Sequence, residues 1–149
     1  MRQRPRRQRK QSPQQRGAPL GAGPRFRLDR VQAAAAEGRL YLGMSRCLDP
    51  LMPLMGSWLV CRRFAAGVLG ALRARDFSRT VRIGDVECDV YGIALPRRLL
   101  EQYGLGGRGT WYVKLSLQAD AEGGSVQLIS LHALERAMSR KGGRLEPVG

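Results

Sequence analysis

Residues 76–92 read DFSRTVRIGDVECDVYG, and at Asp76 the hydrophobic period of the chain changes. Upstream, RRFAAGVLGALRAR (62–75) sets Phe64, Val68 and Leu72 at helical spacing with basic residues at both ends. Downstream the period drops to two. Residues 78–83, 86–94, 110–118 and 125–132, rich in Val, Ile, Thr and Tyr, read as four strands. The clearest alternation is GTWYVKLSLQ (109–118): Trp111, Val113, Leu115 and Leu117 point to one face, expected to be core. Tyr112, Lys114 and Ser116 point to the other, expected to be open for work. DAEGG (120–124) reads as the turn of an antiparallel hairpin between the last two strands.

Outward from this block, RFRLDRVQAAAAEG (25–38) reads as a first helix, with Leu28, Val31 and Ala35 on one face and Gly38 as its stop. LYLGMSRCLDPLMPLMG (40–56) holds two prolines and two glycines, which allow only short helical turns, with its methionines as flexible core filling. HALERAMSRKGG (132–143), with Leu134 and Met138 at i and i+4, reads as a short terminal helix ending at Gly142. Helices first and an antiparallel sheet later make an α+β fold, a twisted antiparallel sheet of about four strands with two or three helices packed on it.

Charge divides the chain. The formal net charge is +14, and residues 1–27 hold nine of the 26 basic residues and none of the 12 acids. Residues 1–23 are expected to be a disordered Arg-rich tail, since they bury too little to offset the entropy of ordering them. Residues 24–149 are expected to be a single domain. The tail has no apolar residue before Leu20 apart from Met1 and Ala18, so neither a secretory signal nor an amphipathic presequence is expected. No apolar run is long enough to span a bilayer, and Cys47, Cys61 and Cys88 lack metal-knuckle or paired-disulfide spacing. A soluble protein of a reducing cytoplasm, with no membrane partner, is the expectation.

In so basic a chain, Asp85, Glu87 and Asp89 gathered at alternate positions need a use. Acid/base work lacks a second catalytic partner nearby in sequence, and metal binding lacks further ligands. Cross-strand pairing with Arg79, Arg82 or Lys114, or with Arg97 and Arg98 in the following loop, is the simplest use.

The order PRFRLDRVQAAAAEGRL, RDFSRTVR, DVECDVYG, WYVKLSL, VQLISLH resembles the landmarks of the MqsR family of toxins over about residues 24–132. These are mRNA interferases of type II toxin-antitoxin systems. Asp76, Phe77 and Arg79 match the family's Asp-Phe pair with a following base. Glu87, Cys88, Asp89, Val90 and Tyr91 match its Trp-Gln-Asp-Val-Tyr-like strand. Tyr112 and Lys114 match a Tyr-x-Lys strand, and Ser130, Leu131 and His132 a final Ser-Phe-Lys-like triplet. The resemblance implies a RelE-like sheet and a metal-independent endoribonuclease that cleaves mRNA, needs no cofactor and is held by a cognate antitoxin.

Carried over residue by residue, it implies catalytic roles for Arg79, Tyr112 and His132. Arg79 would hold the scissile phosphate, since a guanidinium cannot act as a base. Tyr112 would donate to the phosphate or stack on a base. His132, the only histidine, would transfer protons. Arg82, Lys114, Arg97 and Arg98 are the expected RNA-binding cations. Without the resemblance, Tyr112 and His132 read as ordinary strand residues. Three positions depart from the family pattern: Arg79 and His132 replace lysines, and Cys88 replaces a glutamine whose amide a thiol cannot imitate. The departures leave a second reading open, a non-catalytic RNA- or partner-binding module on the same scaffold.

Overall fold

The computed structural model describes residues 17–19, 21–119 and 123–148. Most of the Arg-rich tail and residues 120–122 of the expected hairpin turn lie outside the described residues. The fold is α+β. Strands β1 (Ala18–Pro19), β2 (Leu40–Leu42), β3 (Phe77–Ile83), β4 (Val86–Ala94), β5 (Thr110–Gln118) and β6 (Ser125–Ala133) form one sheet in the order β1-β3-β4-β5-β6-β2. The four long strands fall within a residue of their expected bounds and pair antiparallel. Two short edge strands were not expected. β1 lies antiparallel to β3 within the region read as tail, and β2 lies parallel to β6, so the sheet is mixed rather than purely antiparallel. A three-residue LYL segment is too short to show alternation.

One face of the sheet carries the helices. In α1 (Leu28–Ala36) Val31, Ala34 and Ala35 are buried, and Gly38 takes the left-handed φ of 82° that lets the chain turn away. α2 (Asp49–Met55) is a single short helix after a π-helical turn at Met44–Leu48. Of the methionines in residues 40–56, Met55 packs against the core as expected, whereas Met44 and Met52 are exposed. α3 (Trp58–Ala71) starts four residues earlier than the sequence pattern suggests, because the Ser57 hydroxyl accepts from the Val60 amide and caps it. Cys61, Phe64, Ala65 and Val68 of α3 face the sheet, where Phe64 meets Trp111 edge-on at 5.0 Å. α4 (Arg97–Gln102) packs Leu99 against Gly67 of α3.

The opposite face differs from expectation. Tyr112, Lys114 and Ser116 are each 1% exposed or less. The expected terminal helix is absent among the described residues. β6 instead continues through Ala133, and the following segment turns back over the sheet, closed by paired backbone bonds between Met138 and Leu145. Leu134, Met138 and Leu145 form a second apolar cluster with Val81, Cys88, Val90 and Tyr112. An i, i+4 apolar pair suits a helix, but it also suits an extended segment crossing a sheet. Hydrogen bonds decide for the latter: the Lys141 amide donates to Phe77 O, Gly142 to Arg75 O, and Arg140 Nη1 to Gly92 O and Asp76 Oδ1. Gly92 leaves room for this crossing, since a Cβ there would collide with Met138 Sδ. No described helix is long and apolar enough to cross a membrane.

Candidate active site

The acids of β4 find separate uses. Glu87 pairs with Arg25 and Arg82, which hold its carboxyl below the usual range. Asp89 is fully buried; its carboxylate accepts from the Thr80 hydroxyl at 2.7 Å and from the Arg25 and Phe26 amides at 2.9 and 2.8 Å. It ties the chain entering α1 to the centre of the sheet. Asp85 sits in the two-residue turn after Gly84, whose φ of 60° fits the first position of a type II′ hairpin turn. Cys88 is fully buried on the face away from the helices, with its thiol pushed up to about 11 by burial.

β3 contains a bulge between Phe77 and Arg79. Simple alternation would place Arg79 on the helical face with Phe77. The extra residue, Ser78, reverses it: Arg79 lies opposite Val90 and shares the far face with Val81. Direct register then aligns Arg79, Val90, Lys114 and Ser130 across four strands, and Gly92, Tyr112 and His132 in the adjacent row. Neighbouring strands are roughly 4.8 Å apart, and residues i and i+2 of one strand roughly 7 Å apart, so long side chains from the two rows meet.

They do meet at Tyr112. The His132 ring stacks on it at 5.0 Å between centroids and 17° between planes, and Lys114 Nζ lies 5.6 Å from its centroid. Burial pushes the Tyr112 phenol well above its usual range, opposed by the nearby Arg79 guanidinium. Tyr112 is thus a proton-keeping hydrogen-bond donor at neutral pH and not a phenolate. His132 Nδ1 lies 2.8 Å from Ala133 O. A carbonyl only accepts, so Nδ1 carries the proton and Nε2 of the neutral ring holds a lone pair. That Nε2 is buried and has no hydrogen-bond partner among the described residues. Glu135 Oε1 is 3.9 Å from Nδ1, outside hydrogen-bond range.

The structure therefore brings together Arg79, Tyr112, Lys114 and His132. It does not bring in the other expected cations. Arg82 lies on the opposite face, paired with Glu87, because the residues flanking Val81 alternate away from it. Arg97 and Arg98 are in the first turn of α4, on the helical side of the sheet, and Arg97 pairs with Glu101. Sequence reasoning missed Glu135, which it assigned to a helix, and missed a cleft beside Lys114. There Gly43, Arg46, Gln127, Ile129 and Ser130 enclose about 320 Å³. Among the described residues no group of three or more His, Cys, Asp or Glu could hold a metal ion.

No protein-family model matches the chain, and a search of curated proteins finds no significant match. The resemblance to MqsR toxins accordingly rests on the order of the motifs and the residues that carry them.

Proposed function

We propose that the protein is an endoribonuclease that cleaves RNA by transesterification, in keeping with its resemblance to mRNA interferase toxins. The observation that carries the reading is the buried, unpartnered Nε2 of His132 on a face shared with Arg79, Lys114 and Tyr112. His132 Nε2 takes the proton of a ribose 2′-hydroxyl, and the oxygen attacks the adjacent phosphorus. The P–O5′ bond breaks, the Lys114 ammonium gives its proton to the leaving O5′, and a 2′,3′-cyclic phosphate remains. Arg79 offers its planar fork to the non-bridging oxygens, and the Tyr112 hydroxyl donates to the charge that develops there. The step needs no metal or cofactor. In a cell it would act on mRNA and be restrained by an antitoxin protein, with growth arrest as the outcome of release.

Incubating the purified full chain with a mixed-sequence RNA and mapping the ends tests this. New 2′,3′-cyclic phosphate termini, lost in His132→Ala, are expected. Absence of cleavage under conditions where RNA still binds would replace the reading by its competitor, an RNA-binding module without activity. That competitor draws on the complete burial of Tyr112 beneath the C-terminal segment. Induction in bacteria adds a second readout: wild type should arrest growth and an Arg79→Ala, Tyr112→Phe, His132→Ala triple variant at equal expression should not.

A further inference from the structure

The cleft beside Lys114 is built from two irregularities that meet. In β6 the register slips between Leu128, opposite Leu115, and Ser130, opposite Lys114, so that Ile129 bulges from the strand. Against that bulge sits the π-helical turn Met44–Leu48. The Gly43 amide donates to Leu128 O at 2.9 Å, and the Cys47 thiol donates to the same oxygen at 3.1 Å. The approach is close enough that a Cβ on Gly43 would lie 3.3 Å from the carbonyl oxygens of Leu128 and Ile129. Bulges and π turns both re-aim side chains, and both concentrate at functional sites. Here they aim Arg46 and Gln127 into one space with Lys114.

Three properties define what that space would take. Its volume, about 320 Å³, matches a small ligand of nucleotide size, at the lower end of the roughly 300–1,000 Å³ of ordinary ligand sites. Its walls include Leu42, Ile83 and Ile129, apolar surfaces suited to the face of a base. Its polar side chains are two cations, Arg46 and Lys114, the hydroxyls of Ser45 and Ser130, and the Gln127 amide, which offers a donor and an acceptor to a base edge. Among the described residues neither the Arg46 guanidinium nor the Gln127 amide has a hydrogen-bond or ion-pair partner, although both are partly buried. Lys114 and Ser130 line the cleft and also stand in the Arg79 row. The cleft therefore opens from the face on which the scissile phosphate would lie.

We infer that this cleft is a nucleotide subsite that selects the base next to the cleaved bond. Arg46 holds the phosphate of that nucleotide and Gln127 reads the base edge. The inference rests on the ribonuclease reading for the word "cleaved", but the subsite is testable without cleavage.

The probes are the four ribonucleoside 3′-monophosphates, with inorganic phosphate as the control, titrated into the full chain and followed by amide chemical shifts. Unequal affinities for the four are expected, with shifts at Gly43–Cys47 and Gln127. Arg46→Ala should weaken all four by about tenfold, the worth of a charge-assisted hydrogen-bonded pair. Gln127→Leu should change their ranking by about threefold or more while leaving inorganic phosphate unaffected. Both side chains reach solvent, and thermal melts matching wild type confirm that the variants fold. If wild type binds in this pattern yet cleaves no RNA, the ribonuclease reading fails and the subsite stands. If wild type cleaves RNA but both variants keep its affinities and its cut sites, the subsite fails and the ribonuclease reading stands. Equal affinity for all four nucleotides and for inorganic phosphate reduces the cleft to an anion site and overturns base selection.

Discussion

The imidazole of His132 lies flat on the phenol ring of Tyr112, 5.0 Å away at a 17° tilt, from directly opposed positions on two strands. The stack fixes the imidazole plane while the Ala133 carbonyl fixes its tautomer. Ring plane and tautomer are thus set by different neighbours, and substitution separates them. His132→Ala is expected to lower RNA cleavage by roughly 10²–10⁴, the usual worth of a general base. Tyr112→Phe keeps the stack and loses only the hydroxyl, so a fall of about 10² is expected, that of one lost donor. Initial rates of cyclic-phosphate formation measure both, and a larger loss in Tyr112→Phe than in His132→Ala would contradict the assignment.

The cysteines give a chemical test of burial. All three are fully buried, and burial pushes the thiols of Cys47 and Cys88 up to about 12 and about 11. At pH 8 both remain thiols, which are poor nucleophiles. Native protein treated with iodoacetamide should therefore remain largely unmodified by intact mass, and protein unfolded in guanidinium should gain three adducts. Rapid native modification at Cys88 would mean that the C-terminal segment does not cover the sheet in solution.

Asp89 is the acid on which the fold depends most. It joins β4 to β3 through a fully buried bond from Thr80 and to the entry of α1 through part-buried bonds from two backbone amides. Asp89→Ala leaves the Thr80 hydroxyl buried without this acceptor and frees both amides, and a loss of about 3 kcal/mol is expected in urea unfolding. Glu87→Gln, whose partners are exposed, should cost far less.

Much of this was legible from the chain. The long strands alternate strongly, and the period change at Asp76 marks where helix gives way to sheet. Arg82 is among the cross-strand partners that the sequence offers the acids of β4, and it pairs with Glu87. Three features were hidden for physical reasons. A bulge adds one residue without any composition signal, so the true face of Arg79 follows from the register and not from counting. A burial partner far along the chain is equally silent, which is why Lys114 looked open. The segment after His132 was misread because Leu134 and Met138 satisfy helical spacing, whereas anchors such as Asp76 and Gly92, which fix its path, lie more than forty residues away.

Those anchors carry a prediction of their own. Arg140 bridges the buried Asp76 carboxylate and the Gly92 carbonyl. Burial holds the Asp76 carboxyl above its usual range even with the Arg73 amide and Arg140 opposing it. Removing Arg140 leaves a buried carboxylate without its cation, so Arg140→Ala should cost about 3 kcal/mol at pH 7. A carboxyl with a raised folded-state pKa disfavours folding only once it is ionised. The deficit should therefore shrink as pH falls to 4 and Asp76 takes up its proton. Urea midpoints at the two pH values measure it, and a deficit independent of pH would point to lost packing instead.

Tyr112 makes the corresponding alkaline case. Its phenol is neutral when protonated, and burial raises its folded-state pKa above the usual value of about 10. The folded chain therefore binds this proton more tightly than the unfolded chain does. Stability from this group is complete below pH 10 and is lost as pH rises from there toward the raised value. Tyr112→Phe has no proton to lose. At pH 7 it should be less stable than wild type by about 1 kcal/mol, the cost of one hydroxyl hydrogen bond. By pH 11 the difference should vanish or reverse, since only wild type is then drawn toward the unfolded phenolate. Tyr91 is held up by burial in the same way and is present in both proteins, so it cancels in the comparison. Urea midpoints at pH 7 and 11 decide the matter: a Tyr112→Phe deficit that persists unchanged at pH 11 would mean that the phenol is not buried beneath Leu134, Met138 and Leu145.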